Sequence, residues 1–187
     1  MSLDQITVRL ADPTDAPAVA GVHDRAWRST YRGIIPGVAL ERMIERRGER
    51  WWRRLIKVQR SVLVLEVFGK IAGYVTLGRN RSSALRVRGE IYELYIDPTY
   101  QGLGFGRRLF RAARAQLKTA GCGHFVVWVL EANDAAVAFY RAMGGEPVAH
   151  GLERFGGSPT LDGETVVEGR VGQQRKLAFV WGGGSKS

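Results

Sequence analysis

Apolar and polar residues alternate from Ile6 to Leu10, the period of two expected of a strand with one buried face. At Asp12 the period changes. Asp12-Pro13-Thr14-Asp15 carries turn and N-cap chemistry, and behind it Val19, Val22 and Ala26 recur at helical spacing, predicting a first helix to about Trp27. Tyr31-Arg32-Gly33-Ile34-Ile35-Pro36 interrupts that spacing. Pro36 suits a helix start, and Leu40, Met43, Ile44, Trp51 and Leu55 are placed to share one face of a second helical region. Residues 61–67 and 71–77 are apolar runs separated by Phe68-Gly69-Lys70, the pattern of an antiparallel hairpin. A polar, basic loop is expected over 79–88, and a fourth strand over 90–97, closed by Pro98.

Over 104–118 the helical period returns. Leu109, Ala113 and Leu117 line one face, Arg107, Arg111, Arg114 and Lys118 another, and Gly121-Cys122-Gly123 ends the segment. Residues 125–130 are continuously apolar, as in a strand buried on both sides. Asn133 or Asp134 caps a short helix through Met143, and two more strands fall near 147–154 and 176–181. The stretch 156–172 reads as a long loop or loose hairpin, and 182–187 as a disordered tail. The order predicts an α/β (α+β mixed) fold in one domain, residues 1–181. Its sheet is mixed but mostly antiparallel, with about seven strands and four flanking helices. Only the strand–helix–strand unit over 90–130 demands a parallel crossover.

Composition narrows the partners. No apolar run approaches the roughly 20 residues of a membrane span, no basic segment leads into an apolar stretch at the N-terminus, and the expected location is the cytoplasm. The single cysteine, Cys122, excludes an internal disulfide and a cysteine-based zinc site. His23, His124 and His150 lack metal-ligand spacing and are read as structural or exposed, so no metal is expected. A net charge of +10 admits an anionic ligand, such as a phosphate-rich cofactor. The arginines are spread along the chain, however, which argues for a solvated surface and against a membrane or nucleic acid as partner.

The most specific feature lies between Glu90 and Arg108. A strand ending Tyr-Ile-Asp-Pro runs into Gln101-Gly102-Leu103-Gly104-Phe105-Gly106-Arg107-Arg108, then into a helix. Unpaired amides converge at a helix start, where the dipole adds roughly half a positive charge. Glycines let that backbone approach phosphate oxygens closely. Three glycines at alternate positions exceed what a simple reversal needs. No Lys-Ser/Thr follows, as a Walker loop would require. The third glycine also comes one residue too early for a dinucleotide fingerprint, which disfavours a nucleotide-dependent oxidoreductase.

Gln101-x-x-Gly104-x-Gly106, after the Tyr-Ile-Asp-Pro strand end, resembles the coenzyme A signature of the GNAT N-acetyltransferases. Val127-Trp128-Val129-Leu130-x-x-Asn133-x-x-Ala136-x-x-Phe139-Tyr140-x-x-x-Gly144-Gly145 is similar to that family's next strand and helix, and Trp27-x-x-x-Tyr31-Arg32-Gly33-Ile34-Ile35-Pro36 to a segment of its single-domain bacterial members. The resemblance covers residues 6–147. It implies a GNAT-like fold and acetyl-CoA as co-substrate. It further implies acetyl transfer to a primary amine of a small molecule or peptide, by direct attack in a ternary complex.

By the same resemblance, Gln101, Gly102, Leu103, Gly104, Phe105, Gly106 and Arg107 cradle the pyrophosphate, with Asn133, Ala136 and Phe139 also touching the coenzyme. Strand 90–97 is expected to carry a bulge that splays it from 125–130. Pantetheine would pair there with backbone groups of Leu94 and Ile96, and an amide near Leu94 or Tyr95 would face the thioester carbonyl. Tyr140 matches the tyrosine that protonates the departing sulfur. From the residues themselves, Glu93 is the candidate base, being a mid-strand carboxylate two residues from Tyr95 and so on its face. Glu90 comes second, and a water chain is the alternative. Trp27, Tyr31 and Tyr92 are candidates for an acceptor pocket. A homodimer through the strands after Pro147 is compatible with the sequence. The competing reading is a non-catalytic nucleic-acid-binding or regulatory domain on the same fold, using the 79–88 loop and the Arg107, Arg111, Arg114 face.

Overall fold

The computed structural model describes residues 5–59, 61–155 and 172–182. The expectations for 156–171 and for the tail beyond Gly182 lie outside them. β1 (Ile6–Leu10) leads through a short 3₁₀ turn (Pro13–Asp15) into α1 (Ala16–Tyr31). That entry is capped reciprocally: the Asp12 carboxylate accepts from the Thr14 amide at 2.9 Å, and Asp15 accepts from the Asp12 amide at 2.7 Å. α2 (Gly37–Glu45) and α3 (Glu49–Val58) follow, then the hairpin β2 (Val62–Val67) and β3 (Lys70–Arg79). β4 (Gly89–Ile96), α4 (Phe105–Thr119), β5 (Phe125–Leu130), α5 (Asp134–Ala142), β6 (Glu146–Phe155) and β7 (Gly172–Trp181) complete the order.

The second helical region departs from expectation. It is two helices, so among the described residues five flank the sheet rather than four. Gly48 stands extended as the N-cap of α3, which resets the helical phase. Trp52, with no exposed surface, therefore fills the core, while Trp51 remains 39% exposed. A face that continued from Leu40 to Trp51 needed an unbroken helix.

Among the described residues the sheet has seven strands in the order β1-β2-β3-β4-β5-β7-β6, and only the β4–β5 pair is parallel. Alternation assigns the two faces. Leu63, Leu65, Val75 and Leu77 turn toward α4 and α5, whereas Val62, Val64 and Tyr74 turn toward α1 and α3. Among the described residues no helix is long and apolar enough to cross a membrane.

One irregularity positions everything that follows. Thr76 opposes Glu93 while Leu77 opposes Ile91, so Tyr92 is an extra residue in β4. Pairing between β4 and β5 stops at the same level: the pairs are Gly89–Phe125, Glu90–Val126 and Ile91–Val127. Beyond the bulge the two strands part and leave a wedge through the sheet.

Candidate functional site

The wedge opens into a cavity of about 420 Å³ running from α1 to the start of α4. Of the residues singled out from sequence, its walls include Tyr31, Tyr92, Glu93, Leu94, Tyr95, Ile96, Gln101, Gly106, Asn133, Ala136, Phe139 and Tyr140. Trp27 is not among them: it lies buried behind Tyr31, its ring against His23, Tyr31 and Tyr95. Its apolar area is better satisfied inside the α1 interface than at a wet wall. Ser29 and Thr30 also line the cavity and carry no motif that would have marked them; Trp128, which lines it too, lies within the 127–145 motif but is given no role by it.

The ladder determines which backbone groups face the cavity. The Asp97 amide bonds the Ala72 carbonyl on β3, and antiparallel bonding alternates. Glu93 and Tyr95 therefore also spend their backbone groups on β3, while Leu94 and Ile96 direct theirs into the wedge. The Ile96 carbonyl already accepts from Gln101 Nε2 at 3.1 Å, so this glutamine side chain ties the strand end to the loop.

Past the strand, Gly102 and Gly104 hold left-handed φ values of 77° and 79°, which L side chains adopt only under strain. Among the described residues the amides of Gly102, Leu103, Gly104, Phe105, Gly106 and Arg107 make no hydrogen bond to protein, whereas the Gln101 amide bonds Pro98. Exposed Arg107 adds charge from the first turn of α4. This set fits a diphosphate: unspent donors, positive dipole and a glycine backbone converge at the cavity mouth. Asn133 caps α5, its Oδ1 accepting from the Ala136 amide at 3.1 Å.

Tyr140 projects from α5, its ring packed among Phe110, Phe139, Phe179 and Trp181. Its hydroxyl has no protein partner among the described residues, and burial pushes its pKa up, so the phenol stays protonated. Tyr31 and Tyr95 bond each other through their hydroxyls on the α1 side.

Glu93 shares that side, as its spacing from Tyr95 predicts, but it is not free. Arg47, from the turn between α2 and α3, pairs with one carboxylate oxygen, and Tyr74 Oη donates to the other at 3.0 Å. Arg47 is held in turn over the Trp27 and Trp51 rings, at 5.4 Å and 5.0 Å. His23 Nδ1 lies 2.7 Å from Tyr74 Oη. Neither Arg47 nor Tyr74 stood out in the sequence, because one reads as a surface arginine and the other as a strand aromatic. Glu90 is removed from the chemistry: it is buried, and Arg81 holds it through its backbone amide at 2.9 Å and its guanidinium at 2.7 Å. Arg81 also covers the Tyr92 ring at 3.9 Å, and Tyr92 Oη donates to the Arg79 carbonyl at 2.7 Å.

Burial, with Arg47 nearby, pushes the His23 pKa down to about 3. An unfolded histidine titrates near 6.5, so between those values only the unfolded chain binds the proton. His23 therefore contributes stability above about pH 6.5 that is lost on acidification toward pH 3, by up to about 1.4 kcal/mol per unit. Urea melts from pH 7.5 to 4 are expected to show a shallower fall for His23→Asn than for wild type. Parallel curves would mean that His23 is already charged in the fold.

Residues 13–144 match the sequence profile of the acetyltransferase (GNAT) family. The chain belongs to the GNAT family. It is 34% identical over 146 residues to the uncharacterised N-acetyltransferase YuaI of Bacillus subtilis (strain 168), covering 77% of this chain and 82% of that one. The PaiA N-acetyltransferase of Thermoplasma acidophilum, solved in complex with coenzyme A, superposes with a TM-score of 0.68 at 18% identity, over 92% of this chain and 97% of that one. The protein yncA of Salmonella typhimurium, solved with its cofactor acetyl-CoA, does so with a TM-score of 0.64 at 21% identity, over 95% and 93%. This GNAT protein is an acetyl-CoA-dependent N-acetyltransferase that acts on an amine acceptor, and the nucleic-acid or regulatory reading has no support. Among its described residues no group of three or more His, Cys, Asp or Glu side chains could hold a metal ion.

Proposed function

We propose that this GNAT enzyme transfers acetyl to a primary amine entering the wedge from the α1 side, past Tyr31 and Tyr92. The observation that carries this reading is the parting of β4 from β5 at the Tyr92 bulge, between a cradle of unspent amides and the Tyr140 hydroxyl. Acetyl-CoA supplies an activated thioester. The Leu94 amide, unclaimed by β3, is aimed where charge develops on the carbonyl oxygen. Such a donor contributes about 3 kcal/mol when pre-oriented. Tyr140, kept neutral by burial, gives its proton to the leaving sulfur.

Glu93 receives the amine proton through water. Arg47 and Tyr74 keep it ionised and hence a weak base, which suffices because nitrogen becomes strongly acidic once bonded to the carbonyl carbon. Amides 102–107, Asn133, Ala136 and Phe139 hold the coenzyme. The homodimer compatible with the sequence would use the free edge of β6, where Val148 and Leu152 are exposed.

A melting experiment tests the cofactor assignment. Acetyl-CoA at a hundred times its Kd is expected to add about 2.7 kcal/mol, raising Tm by several degrees, while NAD at equal concentration adds nothing. Equal shifts would remove the diphosphate cradle as a specific site. Free-thiol release against an amine panel then identifies the acceptor.

A further inference from the structure

Two fully buried groups, His23 and Tyr74, lie behind Glu93 beneath the acceptor end of the wedge. His23 and Tyr74 have no exposed surface, yet their polar atoms form one line with Glu93: Nδ1 to Oη at 2.7 Å, Oη to Oε2 at 3.0 Å. The protons on that line are fixed by elimination. A carboxylate paired with Arg47 can only accept, so Tyr74 must donate to Glu93. The phenol oxygen then offers only lone pairs to His23, whose ring, neutral in the core, must carry its proton on Nδ1. The opposite nitrogen, Nε2, is sealed without a partner among the described residues, as the bare atom of that tautomer can be. Were the proton on Nε2 instead, an N–H donor would be buried unpaired, and Nδ1 would compete with Glu93 for the single Tyr74 proton.

We propose that Tyr74 is a positioning residue for this reaction, and that the directed chain His23 Nδ1–H to Tyr74 Oη–H to Glu93 Oε2 holds the Glu93 carboxylate ionised and turned toward the acceptor amine. Backbone placement explains how it can. Tyr74 pairs with Tyr95 and Thr76 with Glu93 across the β3–β4 ladder, so Tyr74 reaches Glu93 diagonally on the α1 face. The bulge at Tyr92 brings Glu93 to this face at the depth where α1 supplies His23. The carboxylate is paired with Arg47 from the α2–α3 turn, and the other charged or titratable groups acting on Arg47 are Arg81 from the loop after β3, Tyr31 from α1 and Tyr95 from β4. Arg47 supplies the counter-charge. Tyr74 supplies the direction.

The inference rests on Glu93 being the proton acceptor, and the test separates the two claims. Kinetics would use acetyl-CoA with the fastest acceptor from the L-amino acids, spermidine, kanamycin and a serine-initiated peptide. In parallel, the Glu93 carboxyl carbon is titrated by NMR in ¹³C-glutamate-labelled protein and assigned by its loss in Glu93→Gln. Tyr74→Phe removes a donor to the charged form, so the Glu93 resonance and the acid limb of the pH–rate profile should both move up by about one pH unit. kcat should fall about tenfold while KM for acetyl-CoA stays within about twofold.

His23→Leu, which leaves the phenol in place but removes the Nδ1–H that orients it, should move both in the same direction. His23→Asn, which keeps a donor near the Nδ1 position, should leave the limb where wild type has it. If Tyr74→Phe does not fold, the two His23 variants carry the test alone. Limbs and resonances that stay put in Tyr74→Phe and His23→Leu, with Glu93→Gln slow, overturn the positioning role while the base survives. A Glu93→Gln enzyme as fast as wild type overturns the base and the positioning role together.

Discussion

Tyr140→Phe is expected to lower kcat by about a hundredfold at neutral pH, with KM for acetyl-CoA within about twofold of wild type. The size follows from what the hydroxyl does and does not touch. It has no protein partner among the described residues, and the ring contacts with Phe110, Phe139, Phe179 and Trp181 survive in phenylalanine. Stability should therefore change little. The loss falls on the step in which sulfur leaves, because a thiolate expelled without a proton donor departs as a free anion into a poorly solvated cleft. A variant with full kcat on a true acceptor would make Tyr140 a packing residue.

How far the sequence revealed this site depends on whether a role belongs to the backbone or to a meeting of distant side chains. The loop at residues 101–107 was legible because glycine spacing encodes backbone conformation directly, and the two left-handed positions are glycines 102 and 104. The fold was legible for a similar reason, since strand and helix periods survive in the order of residues. The break at Gly48 was not: nothing in the spacing of Leu40, Ile44 and Trp51 says that the helical phase restarts. Glu93 was placed on the correct face by alternation, but its partners come from a turn 46 residues away and a strand 19 residues away. Trp27 and Tyr31 sit one helical turn apart, and only Tyr31 reaches the cavity wall, while the earlier ring is buried against His23, Tyr31 and Tyr95. Such outcomes depend on tertiary geometry that a single sequence does not state.

Gly104→Val should weaken acetyl-CoA binding by at least tenfold. Gly121→Val, a substitution under the same backbone strain, should leave affinity untouched. Both glycines hold left-handed φ, 79° and 71°, and among the described residues a Cβ on either would meet nothing within 4 Å. Steric collision is thus absent from both, and each variant pays about 1–2 kcal/mol to keep a β-branched residue in that region. The difference lies in what relaxation would move. Gly121 follows the C-terminus of α4, and turning it disturbs only the path to β5. Gly104 is the N-cap of α4, and rotating its φ toward the allowed region swings the peptide planes whose N–H groups face the cavity mouth. Anion binding by a helix terminus needs those donors to converge, so a modest rotation removes several contacts at once. Calorimetric titration with acetyl-CoA, beside thermal melts of both variants, reads affinity and strain separately. Matched losses of stability with a selective loss of affinity at Gly104 would place the diphosphate on this loop. Equal affinities in the two variants would place it elsewhere.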